Sequence, residues 1–242
     1  MDVGETTETV RNGFLRALQA DSLARLRPHL EPVELSRRQV IYAPGEEPAH
    51  IYFPNRGLVS LIKTMRDGRI VEVGAIGVEG AVCLAAILGL PAVQLESIVQ
   101  IAGEGLRIKS VRLREAAAGD PELRQLLLAY AGLAIAQLAQ TAACNRLHSL
   151  EQRFCRWLLV AQDSAGGDTF QVTHEFLALM LGVQRPGVSL TANALQQQGL
   201  IRYQNGRMTV ADRPGLEAVA CECYGSVRSQ VRELLEPSGE AA

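Results

Sequence analysis

Residues 173–210 read THEFLALMLGVQRPGVSLTANALQQQGLIRYQNGRMTV, and the fold of the chain turns on them. Phe176, Leu177, Leu179 and Met180 supply apolar positions at helical spacing, and Gly182 follows where a sharp turn needs positive φ. A second helix is predicted from Gln184 or Arg185, with Pro186 in its first turn, where a missing N–H costs little. It buries Val188, Thr191, Ala192 and Leu195, and turns Arg185, Ser189 and Asn193 outward. Ala178, before Gly182, is the small residue a helix crossing needs, and Val188, after it, is the apolar one that holds the second helix. The stretch LIRYQNGRMTV then gives two short strand-like runs joined by Asn205-Gly206, the pair best suited to a type I′ hairpin turn. Together these features spell a helix-turn-helix with a β-hairpin wing. The competing reading is a small helical subdomain with an incidental hairpin.

Outside this stretch, 242 residues allow two domains of ordinary size, and 48% hydrophobic content is ample for their cores. No uninterrupted apolar run has the roughly 18 residues of a membrane span, and the N-terminus MDVGETTETVRNG is polar and acidic, so a soluble cytoplasmic protein without membrane partners is expected. The five cysteines, Cys83, Cys144, Cys155, Cys221 and Cys223, are scattered without CxxC spacing, which indicates neither a disulfide framework nor a zinc site. Cys221 and Cys223, if on one helix, point to different sides, and no metal site is expected. A net charge of −2 does not advertise nucleic-acid binding, but from Thr173 to Val210 Arg185, Arg202 and Arg207 face Glu175 alone.

Taken in order, Phe14, Leu15, Leu18, Leu23, Leu26 and Leu30 suggest one or two short amphipathic helices after a loose tail ending near residue 12. From Val33 to about Ile108, short alternating runs are punctuated by Pro44-Gly45, Asn55-Arg56-Gly57, Asp67-Gly68 and Gly74, the texture of a small antiparallel barrel or double-sheet roll. A small-residue helical segment, residues 77–90, interrupts it. Asp120 is a fitting N-cap with Pro121 at the first helical position, opening PELRQLLLAYAGLAIAQLAQTAACNRL. In it Leu127, Tyr130, Leu133 or Ala134, Gln137 or Leu138, Thr141, and Cys144 or Asn145 fall near heptad spacing. A helix apolar nearly all round needs cover on several faces, so dimerisation through it is predicted, against an ordinary central helix in a monomer. HSLEQRFCRWLLVAQ forms the next helix, and residues 213–235 a last amphipathic one before a frayed PSGEAA end.

This order of parts resembles the Crp/Fnr superfamily of bacterial transcription regulators. Three stretches carry the resemblance: VIYAPGEEPAHIYFPNRGLVSL, NRLHSLEQRFCRWLL and LGVQRPGVSLTANALQQQGLIRYQNGRMTV. It implies an α+β chain with an N-terminal antiparallel, jelly-roll-like β-roll sensor over residues 1–119, a dimerisation helix over 120–146, and a winged helix-turn-helix domain over 147–242. It implies double-stranded DNA as partner, with Gln184, Arg185, Pro186, Ser189 and Asn193 on the recognition helix, Thr173 at a backbone phosphate, and Arg202 and Arg207 on the wing. Arginine suits guanine because its guanidinium donates to both O6 and N7. Pro186 and Leu190 stand where the family often has Glu and Arg, so its usual half-site is not expected.

Family members that bind cyclic nucleotide hold its phosphate with an Arg-Ser or Arg-Thr pair, and a Glu binds ribose. The corresponding region here offers Glu79, Glu96 and Ser97 as effector-pocket candidates, with no arginine between Arg69 and Arg107. An unpaired phosphodiester in a low-dielectric pocket costs several kcal/mol, so cyclic AMP is not the expected effector. An iron–sulfur cluster of the family's kind is not expected either, because no cysteine precedes Val82, and a lone His50 or His148 is a poor haem ligand. The expected function is a homodimeric, DNA-binding transcription regulator without cofactor, answering to an unidentified small-molecule effector and working with RNA polymerase. The alternative is a non-enzymatic ligand-binding or protein-docking subunit. No nucleophile elbow, P-loop or metal motif marks a catalytic site, and His29, His50, His148 and His174 are not paired with carboxylates at recognisable spacing.

Overall fold

A computed structural model describes residues 10–235, so the PSGEAA end and most of the expected N-terminal tail lie outside the described residues. The tail is shorter than expected at its inner end. Asn12 is fully buried, caps the first helix by accepting from Leu15 N, and donates to Pro54 O at 3.0 Å and Gly80 O at 2.8 Å. That helix, α1 (Gly13–Arg16), is followed by α2 (Ala20–Leu26) and one 3-10 turn.

The roll is antiparallel. Strands β1 (Glu31–Leu35), β2 (Val40–Tyr42), β3 (His50–Thr64), β4 (Ile70–Ile76) and β5 (Glu96–Lys109) hydrogen-bond in the order β1-β5-β3-β4, with β2 also on β5. Two long strands replace the several short ones expected. The Asn55-Arg56-Gly57 segment is no turn but a run of bulges inside β3, where the register against β5 shifts three times in succession. Bulges of this kind sharpen twist and let one strand serve both halves of a roll. Gly57 (φ +102) lies so close to β5 that a Cβ would meet Ile101 O at 2.8 Å. Helix α3 (Leu84–Ile87) is all that is helical of the 77–90 segment.

After β5, α4 (Ser110–Gly119), which the sequence reading passes over, leads into α5 (Pro121–Leu147). Asp120 caps α5 as expected, accepting from Leu123 N at 3.1 Å. It also binds Ser22 Oγ and Arg25, and these donors hold its carboxyl well below the usual carboxylate range. One face of α5 completes the roll's core: Tyr130 packs edge-on against Phe14, its hydroxyl accepts from Ala81 N at 2.8 Å and donates to Ala81 O at 3.1 Å. Burying one such aromatic side chain contributes about 1.5–3 kcal/mol.

The heptad face named from sequence is this inward one. Leu127, Tyr130, Leu133, Thr141 and Cys144 are buried within the chain, whereas Leu128 (61% exposed) and Ile135 (56%) point outward along a stripe with Gly132, Ala139 and Ala142. A helix apolar all round offers two candidate seams, and periodicity alone does not say which the roll takes. Over an 18-residue window α5 is also long and apolar enough to cross a membrane, with mean hydropathy 1.5. A search for uninterrupted apolar runs misses this because Gln125, Gln137 and Gln140 break the sequence. Its inner face, however, packs on the roll and on the last helix.

The second core lies under α6 (Leu150–Ala165), β6 (Thr169–Gln171), α7 (His174–Leu181), α8 (Arg185–Gln197), β7 (Ile201–Gln204), β8 (Arg207–Val210) and α9 (Arg213–Val219). Ser149 and Gln152 form a capping box at the start of α6, which therefore begins after His148 rather than on it. The single terminal helix expected from Arg213 is broken: the chain turns at Ala220–Glu222, and α10 (Cys223–Leu235) runs back along α5 to reach α1.

Candidate nucleic-acid interface

The interface is assembled from two helices and a hairpin. Thr173 caps α7 through Oγ1, which accepts from Phe176 N at 3.2 Å, leaving the free N–H groups of the first turn at its end. Gly182 ends α7 in the left-handed region (φ 64), which a β-carbon disfavours. The crossing is set by Ala178 (6% exposed) and Val188 (0%). Leu177 and Met180 are buried as expected, Phe176 is half-buried, and Leu179 is exposed instead, because α7 presents it away from both α8 and the roll. Thr191 is half-buried, its hydroxyl satisfied by Gly187 O at 3.0 Å.

Helix α8 presents Gln184, its N-cap, with Arg185, Pro186 and Asn193 as an exposed face. Leu190, 72% exposed, lies on the same face. Ser189, beside them, is half-buried and bonded within the protein. Its Oγ lies 3.0 Å from His174 Nδ1, and the His174 ring stacks on Tyr203 at 4.1 Å between centroids. The three side chains tie α7, α8 and β7 into one unit, so Ser189 positions the recognition helix. Burial, and secondarily the charge of Arg185, hold the His174 imidazole below its usual range, hence neutral at pH 7. This latch was invisible in the sequence, where His174 and Ser189 sit on separate helices.

In the wing, β8 pairs with both β6 and β7, and Asn205 (φ 50) and Gly206 (φ 75) make the hairpin turn with both residues at positive φ. Arg202 and Arg207 are exposed, and among the described residues neither they nor Arg185 has a carboxylate partner. Two further cations join them. The β1–β2 turn of the roll brings exposed Arg37 and Arg38 beside Thr173 and Phe176. Their nearness to Thr173 was hidden by a sequence separation that only the docking of α7 on the roll closes.

A cavity of about 210 Å³ lies where roll, α5, α6 and α10 meet. Of the effector-pocket candidates, Glu79 lines it; Glu96 and Ser97 do not, since β5 directs Ser97 into the sheet beside Leu61 and Tyr42. Glu72, unmarked in the sequence, is the more telling carboxyl. It accepts from Ser60 Oγ and from Trp157 Nε1 (3.5 Å), and burial pushes its pKa up to about 7 against the pull of those bonds and of Arg156. Glu79 is raised by burial too.

Cys221 and Cys223 do not point to different sides of one helix as expected. Cys221 precedes α10 instead of lying on it, so it and Cys223 converge, and Cys144 and His148 from the end of α5 meet them.

Residues 152–219 match the family described as a Crp-like helix-turn-helix domain. Among solved structures, FixK2 from Bradyrhizobium japonicum is 16% identical, with 79% of this chain and 98% of that one covered and a TM-score of 0.64. The c-di-GMP-responsive global regulator CLP of Xanthomonas campestris is 18% identical over 79% of this chain and 99% of that one, at a TM-score of 0.60. A CRP-family transcriptional regulator from Thermus thermophilus is 22% identical over 78% and 96%, at 0.56. No curated protein matches the sequence. The chain thus carries a Crp-like helix-turn-helix domain behind a β-roll, in the fold of the Crp/Fnr regulators.

Proposed function

From that premise we propose that the chain is a DNA-binding transcription regulator, not an enzyme, and that it acts as a homodimer in the cytoplasm. The observation that carries the reading is the unpartnered cationic face: Arg185 on α8 with Arg202 and Arg207 on the wing, around the free helix end at Thr173. A recognition helix enters the major groove while flanking cations and helix N-termini take phosphates. Arg185 is the guanine reader, Asn193 and Gln184 add amide contacts, and Leu190 suits a thymine methyl. Pro186 opens the helix and positions it without donating.

The outer stripe of α5 supports the homodimer. Leu128 and Ile135 supply apolar area, and Gly132, Ala139 and Ala142 between them let a second α5 approach closely. Two recognition helices then address half-sites about one DNA turn apart. A ligand in the 210 Å³ cavity touches roll, α5 and α6 at once, so it is placed to alter how the recognition helices are spaced. Cyclic AMP is a poor occupant. The cavity holds three carboxyl side chains, Glu72, Glu79 and Asp163, against two cations, Arg156 of α6 and Arg228 of α10, neither of them from the roll, and a small, largely apolar effector suits the lining better. Saturable, tight calorimetric binding of cyclic AMP would overturn that part.

The deciding test is an electrophoretic shift on random duplex DNA across a salt series. A phosphate-contacting dimer loses affinity steeply as salt rises. Absence of binding at low salt refutes the proposal and favours a protein-docking subunit.

A further inference from the structure

The geometry points to a mononuclear zinc-type metal site formed by Cys144, His148, Cys221 and Cys223, at the joint between α5 and the winged domain. One ligand atom from each lies within 4.8 Å of all the others, although 72 residues lie between His148 and Cys221 in the chain. Cys144 Sγ and Cys221 Sγ are 3.5 Å apart, and Cys223 Sγ and His148 Nδ1 are 3.6 Å apart. With Zn–S of about 2.3 Å and Zn–N of about 2.0–2.1 Å, a regular tetrahedron has S···S edges of about 3.8 Å and S···N edges of about 3.6 Å. Two of the six edges already stand near tetrahedral length, and no edge exceeds it by more than about 1 Å. Donors this close surround a single centre, whereas an iron–sulfur cluster spreads its thiolates over several irons.

The surroundings suit a bound cation of this kind. His148 presents Nδ1 to the thiols, and its Nε2 lies 3.1 Å from the Glu222 carboxylate, the outer partner that fixes tautomer and ring orientation in histidine–metal sites. Gln140 Nε2 donates to Cys223 Sγ at 2.9 Å, as amides do around metal thiolates. All three cysteines are at most 3% exposed. On binding, Zn2+ displaces three thiol protons to solvent and leaves a net charge of −1 among four ligands. The Arg156 guanidinium, whose charge acts on both Cys144 and Cys221, offsets it.

The location gives the site its consequence. The chain passes into the winged domain at His148 and returns from it at Cys221, so one ion binds both crossings together. Metal occupancy would brace the recognition helices against α5; that last effect rests on the proposed DNA binding, whereas the metal site is read without DNA.

The test uses the full chain. Purified from zinc-supplemented cells, it is expected to carry one zinc per chain by mass spectrometry, to raise its Tm with added Zn2+ and to lower it with a chelator. Reconstitution with Co2+ is expected to give the intense visible bands of tetrahedral thiolate coordination. Cys144→Ala with Cys221→Ala should abolish both signals, and Cys155→Ala should leave both. Glu222→Gln should keep the metal but weaken it about 10–100-fold in competition with a chromophoric chelator. A wild-type chain that takes no stoichiometric metal and shows a Tm indifferent to Zn2+ overturns the proposal. So does a Cys144–Cys221 disulfide in anaerobically purified protein, or an octahedral cobalt spectrum. Loss of DNA binding with the metal retained would fault the regulatory reading alone.

Discussion

Replacing Glu72 by Gln should make the protein more stable at neutral and alkaline pH while leaving it little changed in acid. Glu72 is 6% exposed, and its pKa stands at about 7 against an ordinary 4.5. A carboxyl raised on folding favours the folded state while protonated, so its contribution is intact below about pH 4.5 and is lost as pH rises through about 7. The elevation from 4.5 to about 7 is worth about 3 kcal/mol, at about 1.4 kcal/mol per tenfold change in proton affinity. The groups facing it are Ser60 on β3, and Trp157 and Arg156 on α6; Glu79, Asp163 and Arg228 share the cavity. Gln keeps the shape and an acceptor for Ser60 and Trp157, and removes the buried charge. The assay is denaturant unfolding from about pH 5 to about pH 8, followed by the fluorescence of Trp157, the only tryptophan. The wild type should lose stability from this group across that range, and E72Q should lose about 2.5 kcal/mol less, the rest of the difference falling below pH 5. Parallel pH profiles for the two proteins would refute the reasoning.

Arg185→Ala should relax preference at one base pair by about 1–3 kcal/mol, measured by competition among operator variants. Arg202→Ala or Arg207→Ala should instead weaken all sequences alike and lower the salt slope by about 1 each; a changed base preference would move them from phosphate to base contact. Ile135→Arg, on the outer stripe of α5, should give monomers by light scattering with the helical circular dichroism retained; an unchanged oligomer would place the dimer seam elsewhere.

The parts that were legible in the sequence are those fixed by local chemistry. Asn205-Gly206 dictates its hairpin turn, Gly182 its helix end and Asp120 its cap, whatever the rest of the chain does. The parts that were not legible depend on what meets what. Leu127 and Leu128 are chemically equivalent in an all-round apolar helix, and only the roll's position buries one and leaves the other exposed. Asn55-Arg56-Gly57 reads as a turn because bulges and turns use the same residues, and β5, with Gly103 and Gly105 opposite, is what keeps β3 extended. At the candidate interface, the exposure of Arg185, Arg202 and Arg207 was readable from their positions. The bond from Ser189 to His174 was not, because His174 lies across a turn whose packing spacing does not reveal. The cysteines were misread for a related reason: the break at Ala220–Glu222 leaves no interruption in the amphipathic pattern.

The return of α10 along α5 makes the winged domain an insertion in the scaffold, not its terminus. Residues 149–220 leave and rejoin it at adjoining points, and the matched domain, 152–219, falls just inside them. A module whose two ends adjoin can be exchanged as a cassette without stretching the chain on either side. One β-roll scaffold can in this way be fitted with a different winged domain, and the sequence of that domain can change while the helices that close the roll stay as they are.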